Sequence, residues 1–507
     1  MTSNAKPQVS NATTSYRTLN SFFFSDATPS AAKSPQWIAY NTALAAELQL
    51  PAELAPSENS QTPPAALDIF AGNSVPQWAK PFSQAYAGHQ FGHFNPQLGD
   101  GRAIMLTEVV DHAGKLKDLQ LKGAGRTTYS RSGDGRSPIG PVLREYLVSE
   151  TMHQFGVPTT RALAAVATGN WVYREKAEPG AILTRVASSH IRVGTFQYAA
   201  AHGGTERVTE LADYVIQRHF PELLHTEQPY LKLVEAVLQR QAALISHWMS
   251  LGFIHGVMNT DNTSVCGETI DYGPCAFMDQ YSATQVYSFI DKRGRYSYAN
   301  QPIIAQWNVT RFAETLAELI RLPGEANDAL SARLAVVLER FQPLYQQLWL
   351  AKFGNKVGIA TAQESDRALI EELLALFESQ NVDFTLGFRL LAAELDNEAA
   401  RAEANKETQT TAALFHQPEE FLAWKSRWLK RVDANAKELI ERVNPAIIPR
   451  NHLIAQAIEE ANSSGSLASF HNLLTQLQTP YDRAHLATKL AQPPAQAEQI
   501  ENTFCGT

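Results

Sequence analysis

The sequence predicts an α+β fold in which a β-rich part precedes a mainly helical part. Residues 103–186 alternate short apolar runs with Gly-rich turns around one amphipathic helical stretch. From residue 197 onward, apolar positions recur at the three- and four-residue spacing of helices. The chain has 507 residues, of which 44% are apolar and 19% charged, so it can bury a large core and exceed one simple domain.

The composition also limits the classes of function. The net charge is −8, which argues against a generally basic nucleic-acid-binding surface and leaves room only for a local basic patch. There is no run of about 18 apolar residues, and the N-terminal sequence lacks the pattern of a secretory signal. The three cysteines, Cys266, Cys275 and Cys505, are too few for a disulfide scaffold and suit a reducing compartment. We therefore expect a cytoplasmic protein that binds neither nucleic acid nor membrane.

The chain begins with an irregular lead-in over residues 16–81, in which one helix is predicted at residues 34–50. The next run, residues 86–102, contains four glycines, which would allow the backbone to approach a ligand closely. This run ends at Arg102, a candidate phosphate ligand. A plain Gly-rich turn is the alternative interpretation.

The β-rich part opens with a predicted hairpin of two strands, residues 103–110 and 116–122. Lys122 ends the second strand, where its amine could point at phosphates, although a solvated lysine is the alternative. The loop over residues 127–141 is polar and rich in Gly and Arg. It lacks both the Gly-Lys-Ser/Thr ending of a P-loop and the glycine spacing of a dinucleotide fingerprint. We interpret it as a basic loop that could fold over an anionic ligand.

An amphipathic helix is predicted over residues 142–155, and Glu145 near its start could pair with Lys122. Three further strands are predicted at residues 163–168, 171–174 and 181–186. Arg185 ends the last of them, and Arg192 follows seven residues later. Guanidinium groups match phosphate oxygens, so these two arginines are a candidate phosphate clamp, with an ordinary surface pair as the alternative.

The helical part contains a short polar window between two of its predicted helices. Helices are predicted at residues 205–219, 229–251, 305–320, 328–353, 366–377, 384–393, 418–443 and 452–461. The window holds the pair Asp261 and Asn262, with Asp271 nine residues later. Hard cations such as Mg²⁺ prefer oxygen ligands. Asn262 and Asp271 are therefore candidate metal ligands, and Asp261 is a candidate proton acceptor.

The order of these motifs resembles the protein-kinase superfamily. Lys122 resembles the strand lysine, Glu145 its helix partner, and the Asp-Tyr-Gly run from Asp271 the metal-binding Asp-Phe-Gly. When residues 255–262 are aligned with the kinase catalytic loop, the position of the catalytic aspartate holds Val257. Ordinary kinase chemistry is therefore in doubt.

Longer runs are similar to the selenoprotein O family of kinase-like protein nucleotidyltransferases. They include YAGHQFGHFNPQLGDGRA, LQLKGAGRTTYSRSGDGRSP, TRVASSHIRVGTFQ and HGVMNTDN. The resemblance implies a protein-kinase-like bilobal fold with extra C-terminal helices. It divides the chain into an N-terminal extension (1–85), a β-rich N-lobe that binds nucleotide phosphates (86–196), a C-lobe core with the catalytic and metal-binding loops (197–325), and a C-terminal helical extension and tail (326–507).

The same resemblance implies transfer of AMP from ATP, or of UMP from UTP, to Ser, Thr or Tyr hydroxyls of proteins. The nucleotide would lie flipped relative to a kinase, so that the α-phosphate faces the acceptor and pyrophosphate leaves. Nucleotide contacts would fall on Gly99, Gly101, Arg102, Lys122, Asp134, Gly135, Arg185, Arg192 and Asp271. Asn262 and Asp271 would hold Mg²⁺ or Mn²⁺, Asp261 would accept the proton, and Glu145 would support Lys122. We expect a monomer whose partners are ATP and acceptor proteins.

Alternatives stay open at this level. A conventional kinase of proteins or small molecules could use Asp261 as a displaced base. An inactive nucleotide-binding scaffold could result from Val257, because that residue removes the expected base. Cys505 resembles the C-terminal Cys or selenocysteine of the family and could reach Cys275 in a redox switch, although two isolated thiols are the simpler interpretation.

Overall fold

The first part of the chain folds around one antiparallel sheet in the computed structural model, which describes residues 14–51, 53–54, 64–396 and 409–504. The strands are β1 (Phe24–Asp26), β2 (Gln36–Tyr40), β3 (Phe82–Gln84), β4 (Gly88–Gln90), β5 (His93–Asn95), β6 (Ala103–Val110), β7 (Leu116–Lys122), β8 (Ser137–Pro138), β9 (Arg161–Tyr173), β10 (Ala177–Ala187), β11 (Phe253–Ile254) and β12 (Ala276–Phe277). The main sheet has eight strands in the order β1-β3-β6-β7-β10-β9-β2, with β8 beside β10. Two small ribbons pair β4 with β5 and β11 with β12.

Helices make up most of the described residues after the sheet. They are α1 (Thr42–Glu47), α2 (Pro64–Phe70), α3 (Ile139–Gln154), α4 (Val193–His202), α5 (Gly204–His219), α6 (Pro229–Leu251), α7 (Gln301–Thr315), α8 (Ala317–Ile320), α9 (Asn327–Leu338), α10 (Phe341–Lys356), α11 (Arg367–Ser379), α12 (Phe384–Arg389), α13 (Leu391–Glu394), α14 (Glu419–Trp428), α15 (Ala436–Val443), α16 (Asn451–Ser464) and α17 (Ala468–Gln476). The predicted mixed α+β class is thus confirmed. Among the residues described, no helix combines the length and apolar character that a membrane crossing requires.

The register of three central strands brings cationic side chains together. Lys122 of β7 lies opposite Ala103 of β6 and Leu183 of β10. Side chains on a strand alternate between faces, so Arg185, two residues beyond Leu183, shares the face of Lys122. Arg102 directly precedes β6, and its carbonyl accepts a hydrogen bond from Gly123 N at 2.7 Å. One end of the sheet therefore presents three cations to the same region.

Helix α6 leads the chain to the polar window. Pro229 occupies its first turn, where a missing N–H costs nothing, and Gly252 ends it in the left-handed conformation with φ +69°. The side chains of Leu233, Val237 and Trp248 are buried. The predicted helix over residues 229–251 is confirmed, and β11 and the polar window follow it immediately.

The predicted helix over residues 34–50 is wrong in its first part. Residues Gln36–Tyr40 form β2, which pairs antiparallel with β9, and only Thr42–Glu47 is helical. The edge of the main sheet offers backbone partners that local helical periodicity cannot reveal. Asn41 then begins α1, because its Oδ1 accepts a hydrogen bond from Leu44 N at 3.0 Å.

Other predicted boundaries also differ from the structure. The helices predicted over residues 305–320, 384–393 and 418–443 are each divided in two, as α7 and α8, α12 and α13, and α14 and α15. The two strands predicted at residues 163–168 and 171–174 form the single long strand β9. The helix predicted over residues 328–353 is two helices, α9 and α10. Pro343 explains the division, since within a continuous helix its ring would clash with the carbonyl four residues earlier, whereas the first turn of α10 tolerates it.

A buried ion cluster joins α16 to the segments around β12 and α12. Arg450 is 1% exposed, and its Nη1 lies 2.5 Å from Asp279 Oδ1 and 2.8 Å from Asp383 Oδ2. Its Nη2 also donates to the carbonyl of Ala491 at 2.8 Å. Because these charges are largely removed from water, loss of one of them would leave its partners without a counter-charge and would lower the stability of the folded protein.

Replacing Arg450 with Met is expected to destabilise the protein by about 3–5 kcal/mol, because it leaves the buried Asp383 and the partly buried Asp279 without their cation. A lowered midpoint of urea unfolding would measure this. Arg483→Met is the matched control, since that arginine is 59% exposed and lies 4.0 Å from Glu441. We expect the control to change stability by less than about 1 kcal/mol. Equal midpoints for the two variants would contradict the role assigned to Arg450.

Candidate active site

A cavity of about 470 Å³ lies between the end of the sheet and the polar window. Every site residue predicted from the sequence lines it except Glu145, which stands behind Lys122. The predicted residues in the lining are Gly99, Gly101, Arg102, Lys122, Asp134, Gly135, Arg185, Arg192, Asp261, Asn262 and Asp271. The structure therefore brings them together, while the role of each stays a prediction.

Alternating charges connect the sheet to the window. Lys122 Nζ lies 2.6 Å from Glu145 Oε2 and also contacts Asp271 Oδ1. Arg185 repeats this bridge, with Nε 3.1 Å from Glu145 Oε1 and Nη2 3.7 Å from Asp271 Oδ1. The predicted pairing of Lys122 with Glu145 is confirmed. Glu145 lies on α3 and is buried, so it can fix both cations from behind.

Asp271 remains ionised in spite of its surroundings. Burial alone would raise the pKa of its carboxyl, but Lys122, Arg185 and Arg102 together lower that pKa far below its usual value. Its backbone has φ +68°, a left-handed conformation that residues other than Gly seldom adopt. Such local strain is characteristic of functional positions, where the surrounding structure must enforce it.

Arg192 is held at the cavity wall from two sides. Its guanidinium carbon lies 4.3 Å from the centre of the Tyr86 ring, and its Nη1 lies 3.2 Å from Asp100 Oδ1. Asp100 in turn accepts a hydrogen bond from Gln120 Nε2 at 3.1 Å. The planar guanidinium is therefore oriented before any ligand binds.

Five guanidinium nitrogens of the cavity-lining arginines are buried and have no hydrogen-bond partner among the described residues. They are Arg102 Nη1, Arg136 Nη1, Arg185 Nε, Arg185 Nη1 and Arg192 Nε, of which Arg185 Nε still lies 3.1 Å from Glu145 Oε1. Buried donors in native proteins are nearly always satisfied, and leaving a charged donor without a partner costs free energy. An anion with several oxygens, such as a polyphosphate, would supply the missing acceptors.

The predicted basic loop closes one side of the cavity. Gly135 has φ +69°, and a Cβ atom there would lie 2.1 Å from the carbonyl oxygen of Gly125. Only glycine allows the two backbone segments to approach this closely. The Asp134 carboxylate lies 2.9 Å from Arg174 Nη2, and this hydrogen bond lowers its pKa. Asp134 thus fixes the loop to the β9–β10 turn at the rim of the cavity.

Asp261 is the buried carboxylate on the opposite wall. It lies in a 3₁₀ turn, Thr260–Asn262, and is 8% exposed. Burial raises the pKa of the carboxyl to about 6, although a hydrogen bond from Gln90 Nε2 to Oδ2, at 3.1 Å, acts in the opposite direction. A carboxyl of this pKa is mostly ionised at neutral pH and still basic enough to take a proton. Val257, in the position of the kinase aspartate, is buried nearby and lines the same cavity.

The donor atoms beside Asp261 fit a hard divalent cation. Asn262 Nδ2 donates to the carbonyl of Val257 at 3.1 Å, which leaves Oδ1 as the atom that could bind a metal. Together with the Asp271 carboxylate, this gives an all-oxygen set of the kind that Mg²⁺ and Mn²⁺ accept. Among the described residues, no three His, Cys, Asp or Glu side chains form a metal-binding group. Phosphate oxygens would therefore have to complete the coordination, as is usual for Mg²⁺.

Cys266 and Cys275, the two cysteines in the part of the chain that the structure describes, are not among the residues that line the cavity. Cys275 is buried just beyond the Asp-Tyr-Gly run, and Cys505 lies outside the described residues. Cys266 is also buried, and burial raises the pKa of its thiol to about 12. The hypothesis of a redox switch between Cys275 and Cys505 stays untested.

The family described as protein adenylyltransferase SelO matches residues 8–478 of the chain. The chain belongs to the SelO family. Its relatives named protein nucleotidyltransferase YdiU include one from Rhizobium johnstonii, which is 51% identical over 500 residues, or 97% of this chain and 96% of the relative. The relatives from Rhizobium meliloti and Rhodopseudomonas palustris are 49% and 48% identical, and each match covers 97% of this chain and 98% of the relative. The resemblance found in the motifs is thus confirmed as SelO membership along nearly the whole sequence.

Sequence patterns do not single out several residues that line the cavity. Tyr86, Gln90 and Asp100 lie in the Gly-rich run, where the pattern concerns only the backbone, and Arg174 ends a predicted strand. Asp100 had a usable signal, because it is a lone carboxylate between two glycines in front of Arg102. Gln90 and Tyr86 had none, since only the folded chain brings them beside Asp261 and Arg192.

Proposed function

We propose that this SelO-family enzyme transfers AMP from ATP to a Ser, Thr or Tyr hydroxyl of an acceptor protein. The observation that carries the proposal is the set of buried guanidinium nitrogens that have no hydrogen-bond partner among the described residues, in the cavity that also contains Asp261. These donors suit a polyphosphate, and the carboxylate suits an acceptor hydroxyl. UTP offers the same phosphates, so transfer of UMP belongs to the same proposal.

We also propose that the architecture is a protein-kinase-like fold of two lobes. Residues 86–196 would be the N-lobe and residues 197–325 the C-lobe core, with extensions over residues 1–85 and 326–507. Supporting this division, the Lys122–Glu145 pair lies on β7 and α3, whereas Asp261 and Asp271 follow α6. The cavity lies where these two groups of residues meet.

In this reaction the two walls of the cavity would have separate roles. Arg102, Lys122, Arg185 and Arg192 would bind the phosphates and offset the charge that develops on the leaving pyrophosphate. Asp261 would accept the proton of the acceptor hydroxyl. The acceptor oxygen forms a bond to the α-phosphorus, the bond from that phosphorus to the α–β bridging oxygen breaks, and pyrophosphate departs with its electron pair. The product is an AMP phosphodiester on the protein.

Asn262 and Asp271 would hold Mg²⁺ or Mn²⁺, which when bound supplies positive charge to the phosphate oxygens. Lys122 and Arg185 contact Asp271 from the sheet side, so they would keep its carboxylate oriented toward the cavity. Val257 contributes no carboxylate at the kinase position, which is why Asp261 is assigned the proton.

Incubation with ATP labelled separately at the α- and γ-phosphates decides between nucleotide transfer and a kinase. We expect the α label to appear on protein together with the adenine, and the γ label to be released in pyrophosphate. The reaction should contain Mg²⁺ or Mn²⁺, and intact-mass spectrometry should show the addition of an AMP group. Retention of the γ label without the α label would establish a kinase instead. Binding of ATP without either transfer would favour the inactive scaffold.

A further inference from the structure

The β4–β5 ribbon lies directly against the turn that carries Asp261. Its two strands are joined by Phe91 and Gly92, which have φ +52° and +86°. Positive φ at both positions is typical of a tight two-residue hairpin, but a bulky Phe adopts it only under constraint. The Phe91 ring lies 5.0 Å from that of Tyr296, and this contact helps to hold the tip of the ribbon in place.

Consecutive residues of the ribbon donate hydrogen bonds to the turn. The bonds run from His89 N to Thr260 Oγ1 at 2.6 Å, from Gln90 Nε2 to Asp261 Oδ2 at 3.1 Å, and from Phe91 N to Asn259 Oδ1 at 3.1 Å. The two outer bonds come from the backbone and fix the ribbon relative to the turn. The central bond comes from a side chain, and it ends on the carboxylate that the proposed reaction uses.

The two oxygens of Asp261 are not equivalent. Oδ1 is buried and has no hydrogen-bond partner among the described residues. It lies against Gly88, where an added Cβ would come within 2.7 Å of it. Oδ2 is the oxygen that Gln90 contacts, and both side chains line the cavity. A proton from an acceptor would therefore reach Asp261 through Oδ2.

We propose that Gln90 is a positioning residue for the transfer reaction, and that it holds Asp261 Oδ2 toward the acceptor hydroxyl. This inference rests on the proposed function of Asp261. A carboxylate oxygen has two lone-pair sites, so Oδ2 can accept one hydrogen bond from Gln90 and a second from the acceptor. The Gln90 amide thus fixes the rotamer without blocking the base.

A neutral amide suits this contact, because its Nε2–H donates to Oδ2 without placing a further charge beside the carboxylate. A Glu at this position would instead place a second carboxylate beside the first, and a Met would offer no donor at all.

Gln90→Met tests this role, since it keeps the length of the side chain and removes its polar atoms. We expect kcat for α-label transfer to fall between about tenfold and a hundredfold, because a small misplacement of a reacting group can cost that much. The KM for ATP should change less than about threefold, since Gln90 is not among the predicted phosphate ligands. Gln97→Met is the matched control on the same segment, because Gln97 is exposed and lies outside the cavity lining.

A double-mutant cycle separates positioning from a general structural defect. If Gln90 acts through Asp261, the variant with both Gln90→Met and Asp261→Asn should be no slower than Asp261→Asn alone. Multiplied losses, or an unchanged kcat in Gln90→Met, would overturn the inference and leave the proposed function intact. If Gln90→Met does not fold, Gln90→Asn replaces it, since Asn keeps the amide on a side chain that is one methylene shorter. Its loss of kcat should likewise disappear in the Asp261→Asn background. Transfer of the γ label by the wild-type enzyme would instead refute the function on which the inference rests.

Discussion

Replacing Asp261 with Asn is expected to lower AMP transfer by about 10²- to 10⁴-fold, the range over which a general base contributes. The amide cannot accept the acceptor proton, whereas the proposed phosphate-binding residues on the opposite wall are untouched. ATP binding should therefore stay within a few-fold of the wild type. Single-turnover transfer of the α label and equilibrium binding of ATP measure the two quantities separately.

We do not expect this loss of activity to come from unfolding, because the substitution removes a charge from a buried site. Burial raises the pKa of Asp261 to about 6, so at pH 7 the ionised carboxyl destabilises the folded protein relative to the neutral form. A neutral Asn should leave thermal stability unchanged or raise it. Asp328→Asn, at an exposed position near the start of α9, is the matched control. Full transfer by Asp261→Asn would refute the assignment and leave the base unidentified.

The sequence predicted which residues line the cavity better than it predicted the boundaries of the elements around them. Lys122, Arg185 and Asp271 could be selected because charged residues stand at strand ends or in a short polar window, where function is more common than packing. Their meeting follows from strand register, which the sequence alone does not specify. The pairing of β2 with β9 was missed for a related reason, since a strand at the sheet edge is decided by a partner more than a hundred residues away.

The residues that orient the predicted site side chains are the hardest to identify from the sequence. Asp100 holds Arg192, and Gln90 holds Asp261, yet neither pair is close in sequence. Such partners depend on tertiary contacts between the Gly-rich run and the helical part. A pattern of residue types can therefore indicate the chemistry of a site. The residues that orient the side chains of that site can be identified only from the folded structure.

Replacing Asp271 with Asn is expected to reduce transfer by about a thousandfold, because loss of a metal ligand removes several kcal/mol of charge stabilisation in the transition state. Asn tolerates the left-handed backbone at this position, so the loop should keep its conformation. The change also removes one of the two carboxylates that contact Lys122 and Arg185, and with only Glu145 left, more of their positive charge is available to phosphates.

These two changes should affect ATP binding in opposite directions. Loss of the metal ligand should weaken the contribution of Mg²⁺, whereas loss of the negative charge should strengthen binding in the absence of metal. In wild-type enzyme, Mg²⁺ should strengthen ATP binding, because it neutralises Asp271 and the phosphates together. In Asp271→Asn, ATP should bind in EDTA at least as tightly as it binds wild type in EDTA, and added Mg²⁺ should strengthen binding much less. Titrations of both proteins with ATP, in MgCl₂ and in EDTA, measure all four affinities. If Mg²⁺ strengthens ATP binding equally in both proteins, Asp271 is not a metal ligand, and its contacts with Lys122 and Arg185 are structural.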